Sequence, residues 1–218
     1  MATSKIIKYI VDDMDKTITE LHKKGLIRDD RRYSQKTKED GIHEISFPGK
    51  NEKGSIVYDK HITAAKVIDT LLEGRQYNIL LYDKSLIQAE FKIKRDSVIK
   101  ERLVFMKKHN RIWDIKEIEE CETLEEDWFA EERGIPIILR VDYDPKNHVE
   151  CDHAKTHLTI SNHESCRIPI KDFITFSEFV RLVLFHFYNI KMDMKTFRIT
   201  TDDIITEAEK EMIHMSWE

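Results

Sequence analysis

Glycine, proline and cysteine are all scarce in this sequence of 218 residues. With 6 glycines and 4 prolines, the composition excludes a disordered tail as the main body and suits a folded domain that contains helices. The three cysteines, Cys121, Cys151 and Cys166, are an odd number without a dense framework. They argue against a disulfide scaffold, and reduced thiols are expected.

Long apolar runs are missing as well. No run approaches the roughly 20 residues that a membrane-spanning helix needs, and charges interrupt the N-terminal segment where a signal peptide would have its apolar core. The sequence also lacks internal repeats and glycine-rich phosphate loops. We therefore expect a cytoplasmic protein that forms a single α+β domain over residues 1–218, with a polar loop region at about residues 28–55.

The charges are unevenly distributed along the chain. The net charge of -5 argues against a protein that coats nucleic acid without specificity. From Lys92 to Arg111, however, eight basic residues face only Asp96 and Glu101, whereas the next segment, Ile112 to Glu132, has ten acidic residues and one lysine. These segments are interpreted either as solvated faces that partly neutralise one another, or as a basic strip that docks DNA or RNA.

The stretch from Ile137 to Ile170 has the clearest strand pattern. Apolar and polar residues alternate from Ile137 to Tyr143, and two further short strands are predicted at His157 to Ile160 and Arg167 to Ile170. Together they form a three-stranded antiparallel meander. Because side chains alternate between the faces of a strand, one polar face collects Arg140, Asp142, His157, Thr159 and Arg167.

A hairpin and a following strand are predicted to begin the same sheet. Asn78 to Lys94 contains the turn Asp83-Lys84-Ser85, and Val98 to Met106 supplies the next strand. A short strand is also expected within Ile42 to Phe47. The meander then continues this sheet.

Helices are predicted where apolar residues recur at spacings of three and four. The first begins at Thr3 and ends near Gly25, the second covers Ile62 to Leu72, and a strongly apolar one opens at a capping box of Thr175 with Glu178. We expect an α+β fold in which these three helices pack mainly on one face of the antiparallel sheet.

Two more helical segments are predicted in charged parts of the chain. Ile115 to Trp128 keeps one apolar stripe, and Asp202 to Glu211 precedes a last edge strand at Ile213 to Met215.

Five segments of the chain carry a family resemblance: YNILLYDKSLIQAEFKIKRDSVIKERLVF, PIILRVDYDP, HAKTHLTISNHESCRIPI, FSEFVRLVLFHFYNI and EMIHM. They resemble an uncharacterised bacterial family called domain of unknown function 2290. The resemblance covers most of the chain from about Gln76 onward, and the H-x-x-x-H-L-T block followed by CRIP is its most specific part. Family members tend to have Asp-Gly-Ser at the hairpin turn where this chain has Asp83-Lys84-Ser85. The resemblance implies one intact domain from a bacterial or phage-like source, and it implies no activity.

A cluster of histidines and cysteines raises the question of a metal site. Six such residues fall within nineteen positions: His148, Cys151, His153, His157, His163 and Cys166. Zinc accepts imidazole and thiolate ligands, and His153 and His157 are the pair that could reach one ion. The spacing matches no zinc-finger pattern, so histidines that only pack or donate hydrogen bonds are the alternative.

The polar face of the meander is the candidate catalytic site. Asp142 would orient His157 as a general base, while Arg140 and Arg167 would hold a phosphodiester and Thr159 would lie beside them. The alternative is a solvated or loop-covered sheet face without chemistry. A weak likeness to two-histidine phosphoesterases comes from two His-x-Thr motifs, at His61 and at His157.

The hairpin offers a second catalytic hypothesis. Asp83 followed by Glu90-Phe91-Lys92 resembles the arrangement by which restriction-type nucleases bind Mg²⁺. Ordinary surface ion pairs are the alternative.

We therefore expect first a binding or accessory component of a nucleic-acid-processing or mobile-element (phage) defence system, with a protein partner and nucleic acid contacted through Lys92 to Arg111. A phosphodiesterase or nuclease that uses the His/Asp/Arg site is the alternative. Zinc is the cofactor that the histidines would bind.

Overall fold

The computed structural model of this chain describes residues 4–49, 62–108, 135–161, 166–193 and 205–216. One antiparallel sheet of nine strands runs through these ranges. Its strands are β1 (Ile27–Asp30), β2 (Ser34–Thr37), β3 (His43–Ser46), β4 (Ile79–Leu81), β5 (Leu86–Lys94), β6 (Ser97–Lys107), β7 (Ile137–Tyr143), β8 (Thr156–Ile160) and β9 (Ile168–Pro169). The helices are α1 (Lys5–Lys23), α2 (Ala64–Glu73), α3 (Phe176–Tyr188) and α4 (Glu207–Lys210), with a short 3-10 helix at Pro145–Asn147.

The strand order is β1-β4-β5-β6-β7-β8-β9, and the β2-β3 hairpin adds to β5 beside β4. The predicted hairpin corresponds to β4 and β5, and the predicted meander to β7, β8 and β9. The α+β fold class is therefore confirmed.

The two faces of the sheet carry different helices. α1 and α3 pack together on one face, over a core that includes Phe91, Phe105 and Val141. α2 lies on the opposite face, against Val104 and Met106. The expectation that the second helix shares a face with the other two is therefore wrong. The apolar stripe of α2 packs on this second face because the C-terminal half of β6 has buried apolar side chains on both faces of the sheet.

Local signals set the helix ends. Ser4, rather than Thr3, caps α1 by accepting from the Ile7 backbone, and the Asp96 carboxylate in the β5-β6 turn accepts from the Ile6 backbone at 3.1 Å. Thr175 and Glu178 form the predicted capping box of α3, with both reciprocal bonds present. These caps fix where α1 and α3 begin over the sheet.

The segment at about residues 28–55, which we expected to be mainly loop, contains strands. β3 was expected there, but β1 and β2 were not. All four residues of β2 are exposed, so β2 shows no apolar alternation and its strand character comes from backbone pairing with β3.

The C-terminal end of the described chain adds a single bridge to the sheet. Met215 pairs in parallel with Ile170, and the Lys171 N–H donates to the Met215 carbonyl at 2.8 Å. The predicted last strand is thus one bridge, and α4 falls within the predicted helix at Asp202 to Glu211. The predicted helix at Ile115 to Trp128 lies outside the described residues. Among the helices that are described, none has the length and apolar character to cross a membrane.

Candidate functional site

The register of β6, β7 and β8 brings five polar side chains together. Arg102 lies opposite Asp142, which lies opposite His157 on the other side, and Arg140 lies opposite Thr159. All of them alternate away from the side chains that meet α1 and α3, so they share the other face of the sheet. We call Arg102, Arg140, Asp142 and His157 the arginine site.

Asp142 is the centre of the arginine site. Arg102 Nε donates to Asp142 Oδ1 at 2.7 Å, and Arg140 Nε lies 2.6 Å from Asp142 Oδ2. Burial alone would raise the pKa of this carboxyl, but the two guanidiniums outweigh burial and hold its pKa below the ordinary value. Asp142 is therefore a buried carboxylate that stays charged and holds two arginines side by side.

His157 is buried beside this carboxylate, but Asp142 does not orient it. Its Nδ1 lies 2.9 Å from the Ala154 carbonyl, and its Nε2 lies 3.8 Å from Asp142 Oδ2, which is beyond hydrogen-bond reach. Burial lowers the pKa of His157, although Asp142 partly opposes this. A neutral ring that donates from Nδ1 turns the Nε2 lone pair toward the carboxylate, which is a poor position for a general base.

The two remaining residues of the predicted catalytic face are placed differently. The Thr159 hydroxyl is buried next to Arg140 and has no hydrogen-bond partner in the described chain. Arg167 precedes β9, and its Nη1 lies 3.9 Å from Asp152. Within the described ranges it makes no ion pair with Asp142. The structure thus gathers Asp142, His157, Arg140 and Thr159, whereas Arg167 meets another carboxylate.

The predicted zinc ligands, His153 and His157, do lie side by side. Their ring centroids are 4.7 Å apart, and the Nδ1 of His153 is buried without a hydrogen-bond partner in the part of the chain described. Two ligands do not complete a tetrahedral site. The described residues contain no group of three or more His, Cys, Asp or Glu side chains placed to hold a metal, and His163 lies outside them. His148 contacts Glu209 at 3.1 Å instead.

The basic residues within 92–108, the described part of the basic strip, do not share one surface and pair with different carboxylates. Lys100 Nζ donates to Asp144 at 2.6 Å on the face of the arginine site, and Lys108 Nζ donates to Asp69 of α2 at 3.1 Å. Lys107 points the other way, toward α3, and is buried in an ion pair with Asp83. These charges do not form one continuous surface.

The same contacts separate the residues of the predicted nuclease arrangement. Asp83 lies on the side of α3, where its carboxylate accepts from Lys107 and, at 2.8 Å, from the Tyr188 hydroxyl. Glu90 and Lys92 lie 3.5 Å from each other, and Glu90 stands opposite Arg102. The carboxylates of Asp83 and Glu90 are thus committed to different partners.

The sequence interpretation did not bring together three acidic residues on the face of the sheet that α1 and α3 cover. Glu101 of β6 is fully buried, and neither of its carboxylate oxygens has a hydrogen-bond partner in the described chain. Asp13 of α1 and Glu178 of α3 are close enough to influence its ionisation. Strand alternation was the available signal, because Glu101 occupies the same parity as the core residues Leu103 and Phe105.

Comparison with family models places the chain in a family. The model described as "Uncharacterized conserved protein (DUF2290)" matches residues 26–217. The chain therefore belongs to this family, and the resemblance inferred from its motifs is confirmed. No curated protein matches the chain, and neither does any solved structure.

Proposed function

We propose that this chain is a binding protein that holds a phosphate group of a nucleic acid at the arginine site, as a binding or accessory component of a nucleic-acid-processing or phage-defence system. The observation that carries this proposal is the pair of guanidiniums that meet at Asp142 from adjacent strands. Guanidinium forks match the geometry of phosphate oxygens, and a carboxylate between two of them orients both. The side chains of Arg102 and Arg140 remain 21% and 14% exposed, so ligand and solvent can reach them.

The local charge balance favours an anionic ligand. The described ion pairs on this face join Lys38 to Glu44, Lys92 to Glu90 and Lys100 to Asp144, whereas Arg102 and Arg140 share the one carboxylate of Asp142. One positive charge remains in excess. Because water reaches this site poorly, an anion that binds beside the positive charge stabilises it. The buried Thr159 hydroxyl adds a donor for such an anion.

Binding explains the geometry better than proton abstraction does. His157 uses Nδ1 at a backbone carbonyl and directs Nε2 toward Asp142, so neither nitrogen is held ready to take a proton from a ligand. A net charge of -5 also suits local contact with a nucleic acid better than coating it.

Fluorescence anisotropy with labelled single-stranded DNA, duplex DNA and RNA at several salt concentrations tests the proposal. Arg102→Gln and Arg140→Gln should each weaken binding several-fold and reduce the slope of log affinity against log salt by about one. Arg140→Lys should recover only part of the loss, because lysine keeps the charge but not the fork.

Arg181→Gln is the matched control, because it removes the same charge from an exposed position on α3. Circular dichroism should show that all the variants are folded. The proposal is wrong if no nucleic acid binds at low salt, or if the arginine-site variants bind as the control does.

A further inference from the structure

Glu101 is an acidic residue that the fold buries without a hydrogen-bond partner in the described chain. It points from β6 toward α1 and α3, between its cross-strand neighbours Phe91 and Tyr143, and its side chain is completely buried. Both of its carboxylate oxygens lack a hydrogen-bond partner in the described residues. An ionised carboxylate in such a place is strongly destabilising, because the described charges that act on it are all acidic.

The groups around Glu101 make ionisation harder still. Asp13 faces it from α1 and Glu178 from α3, while Asp142 contributes from the other side of the sheet. Asp13 accepts from the Ser177 backbone at 3.0 Å, and Glu178 accepts from the Thr175 backbone at 2.8 Å. The start of α3 thus holds both acidic residues in place, each through one backbone hydrogen bond.

Burial raises the pKa of Glu101 well above its ordinary value, and the charges of Glu178 and Asp13 raise it further. Burial also raises the pKa of Asp13, although the bonds from Ser177 and the charge of Lys16 oppose this rise. Lys16 acts on Asp13, and it is not among the groups that influence Glu101.

We infer that Glu101, Asp13 and Glu178 form a proton-dependent clamp between β6, α1 and α3, in which a proton on Glu101 keeps α1 docked and loss of that proton loosens it. Ionised Glu101 would face two carboxylates across the helix interface, so repulsion acts directly on α1 and α3. A small cavity lies next to this cluster, between α1, β5 and the start of α3, and Asp13 is among its lining residues together with Tyr9, Phe91 and Thr175.

Hydrogen exchange of α1, measured by mass spectrometry between about pH 6 and pH 9, tests the clamp in the full chain. After correction for intrinsic exchange, the wild type should lose protection in α1 progressively as the pH rises, by about tenfold for each pH unit until Glu101 ionises in the docked state. Glu101→Gln keeps the shape of the protonated acid and cannot ionise, so its α1 should stay equally protected throughout.

Glu20→Gln is the control, because it removes an exposed carboxylate from the same helix, and it should behave as the wild type. Glu178→Gln is the second variant, and it remains informative even if Glu101→Gln does not fold. Glutamine preserves a capping box while one repulsive charge disappears, so the alkaline loss should become smaller. A wild-type α1 that keeps its protection, or an equal loss in the wild type and both variants, would overturn the inference.

Discussion

Asp142 and Glu101 occupy neighbouring positions on β7 and β6, yet their carboxyl groups have opposite surroundings. Asp142 lies opposite Arg102, and Glu101 lies opposite Tyr143, one residue along the same pair of strands. Asp142 meets two guanidiniums, and its pKa is lowered. Glu101 meets apolar side chains and two acidic ones, and its pKa is raised well above the ordinary value.

The difference shows that burial alone does not decide the state of a carboxyl group. Both side chains are almost inaccessible to water, with Asp142 at 4% and Glu101 at 0% exposure. The two side chains differ in the face of the sheet to which they point, because neighbouring positions along a strand alternate between the two faces. The carboxyl group with two guanidiniums beside it keeps its charge, whereas the one with acidic neighbours favours a proton.

A third buried carboxylate sharpens this comparison and should give the largest effect. Asp83 lies on the face that α1 and α3 cover, as Glu101 does, but buried Lys107 pairs with it. Lys107→Met should cost about 3–5 kcal/mol of unfolding free energy, since it leaves Asp83 without that cation. Urea denaturation measures this loss.

The double variant Lys107→Met with Asp83→Asn should recover part of the loss, because it also removes the stranded charge. If Lys107→Met alone costs less than about 1 kcal/mol, cations do not stabilise buried carboxylates here as the comparison requires.

A smaller loss is expected at the arginine site itself. Asp142→Asn keeps the size of the side chain but removes the charge that holds Arg102 and Arg140, and it should cost about 2 kcal/mol in urea denaturation. The cost is below that of Lys107→Met because both arginines are partly exposed and water replaces some of the lost interaction. A neutral effect would mean that the arginines do not depend on Asp142.

The smallest effect is expected where an ion pair is exposed. Lys23 Nζ lies 2.6 Å from Glu20 Oε1 on α1, and the side chains of the two residues are 65% and 40% exposed. Lys23→Gln should change the unfolding free energy by no more than about 0.5 kcal/mol. A much larger change in urea denaturation would show that exposure does not reduce the value of an ion pair in this chain.

The sequence allowed the antiparallel sheet to be predicted because its central strands alternate clearly. The turn at Asp83 to Ser85, the strand that became β6 and the three strands of the meander follow that alternation. The cross-strand meeting of Asp142 and His157 could be predicted for the same reason. The capping box at Thr175 is a local pattern that needs no tertiary information.

Other features depend on contacts that local patterns do not carry. β2 is polar and exposed, so only its backbone pairing makes it a strand. The apolar stripe of α2 fits either face of the sheet, and the chain path between elements decides which one it covers. Arg102 was recognised only as one charge in a basic strip, because its partner Asp142 is forty residues away.

The pH dependence of unfolding free energy tests the contrast between Asp142 and Glu101 most directly. Wild type, Asp142→Asn and Glu101→Gln would be unfolded in urea at several values between about pH 3 and pH 9. As the pH rises above 4.5, the ordinary glutamate value, the unfolding free energy of Glu101→Gln should increase relative to that of the wild type. The reason is that folded wild type must keep a proton on Glu101 that the unfolded chain releases. The gain should be about 1.4 kcal/mol for each pH unit until Glu101 ionises in the folded protein.

The Asp142→Asn protein should instead show a constant deficit above about pH 5. That deficit should shrink as the pH falls below 3.8, the ordinary aspartate value, because the unfolded wild-type chain then takes up a proton that the folded Asp142, with its lowered pKa, does not yet accept. The predicted result is thus a difference from the wild type that grows with pH for Glu101→Gln and one that stays constant above about pH 5 for Asp142→Asn. Parallel curves for the wild type and Glu101→Gln, or a deficit of Asp142→Asn that vanishes at neutral pH, would contradict the account.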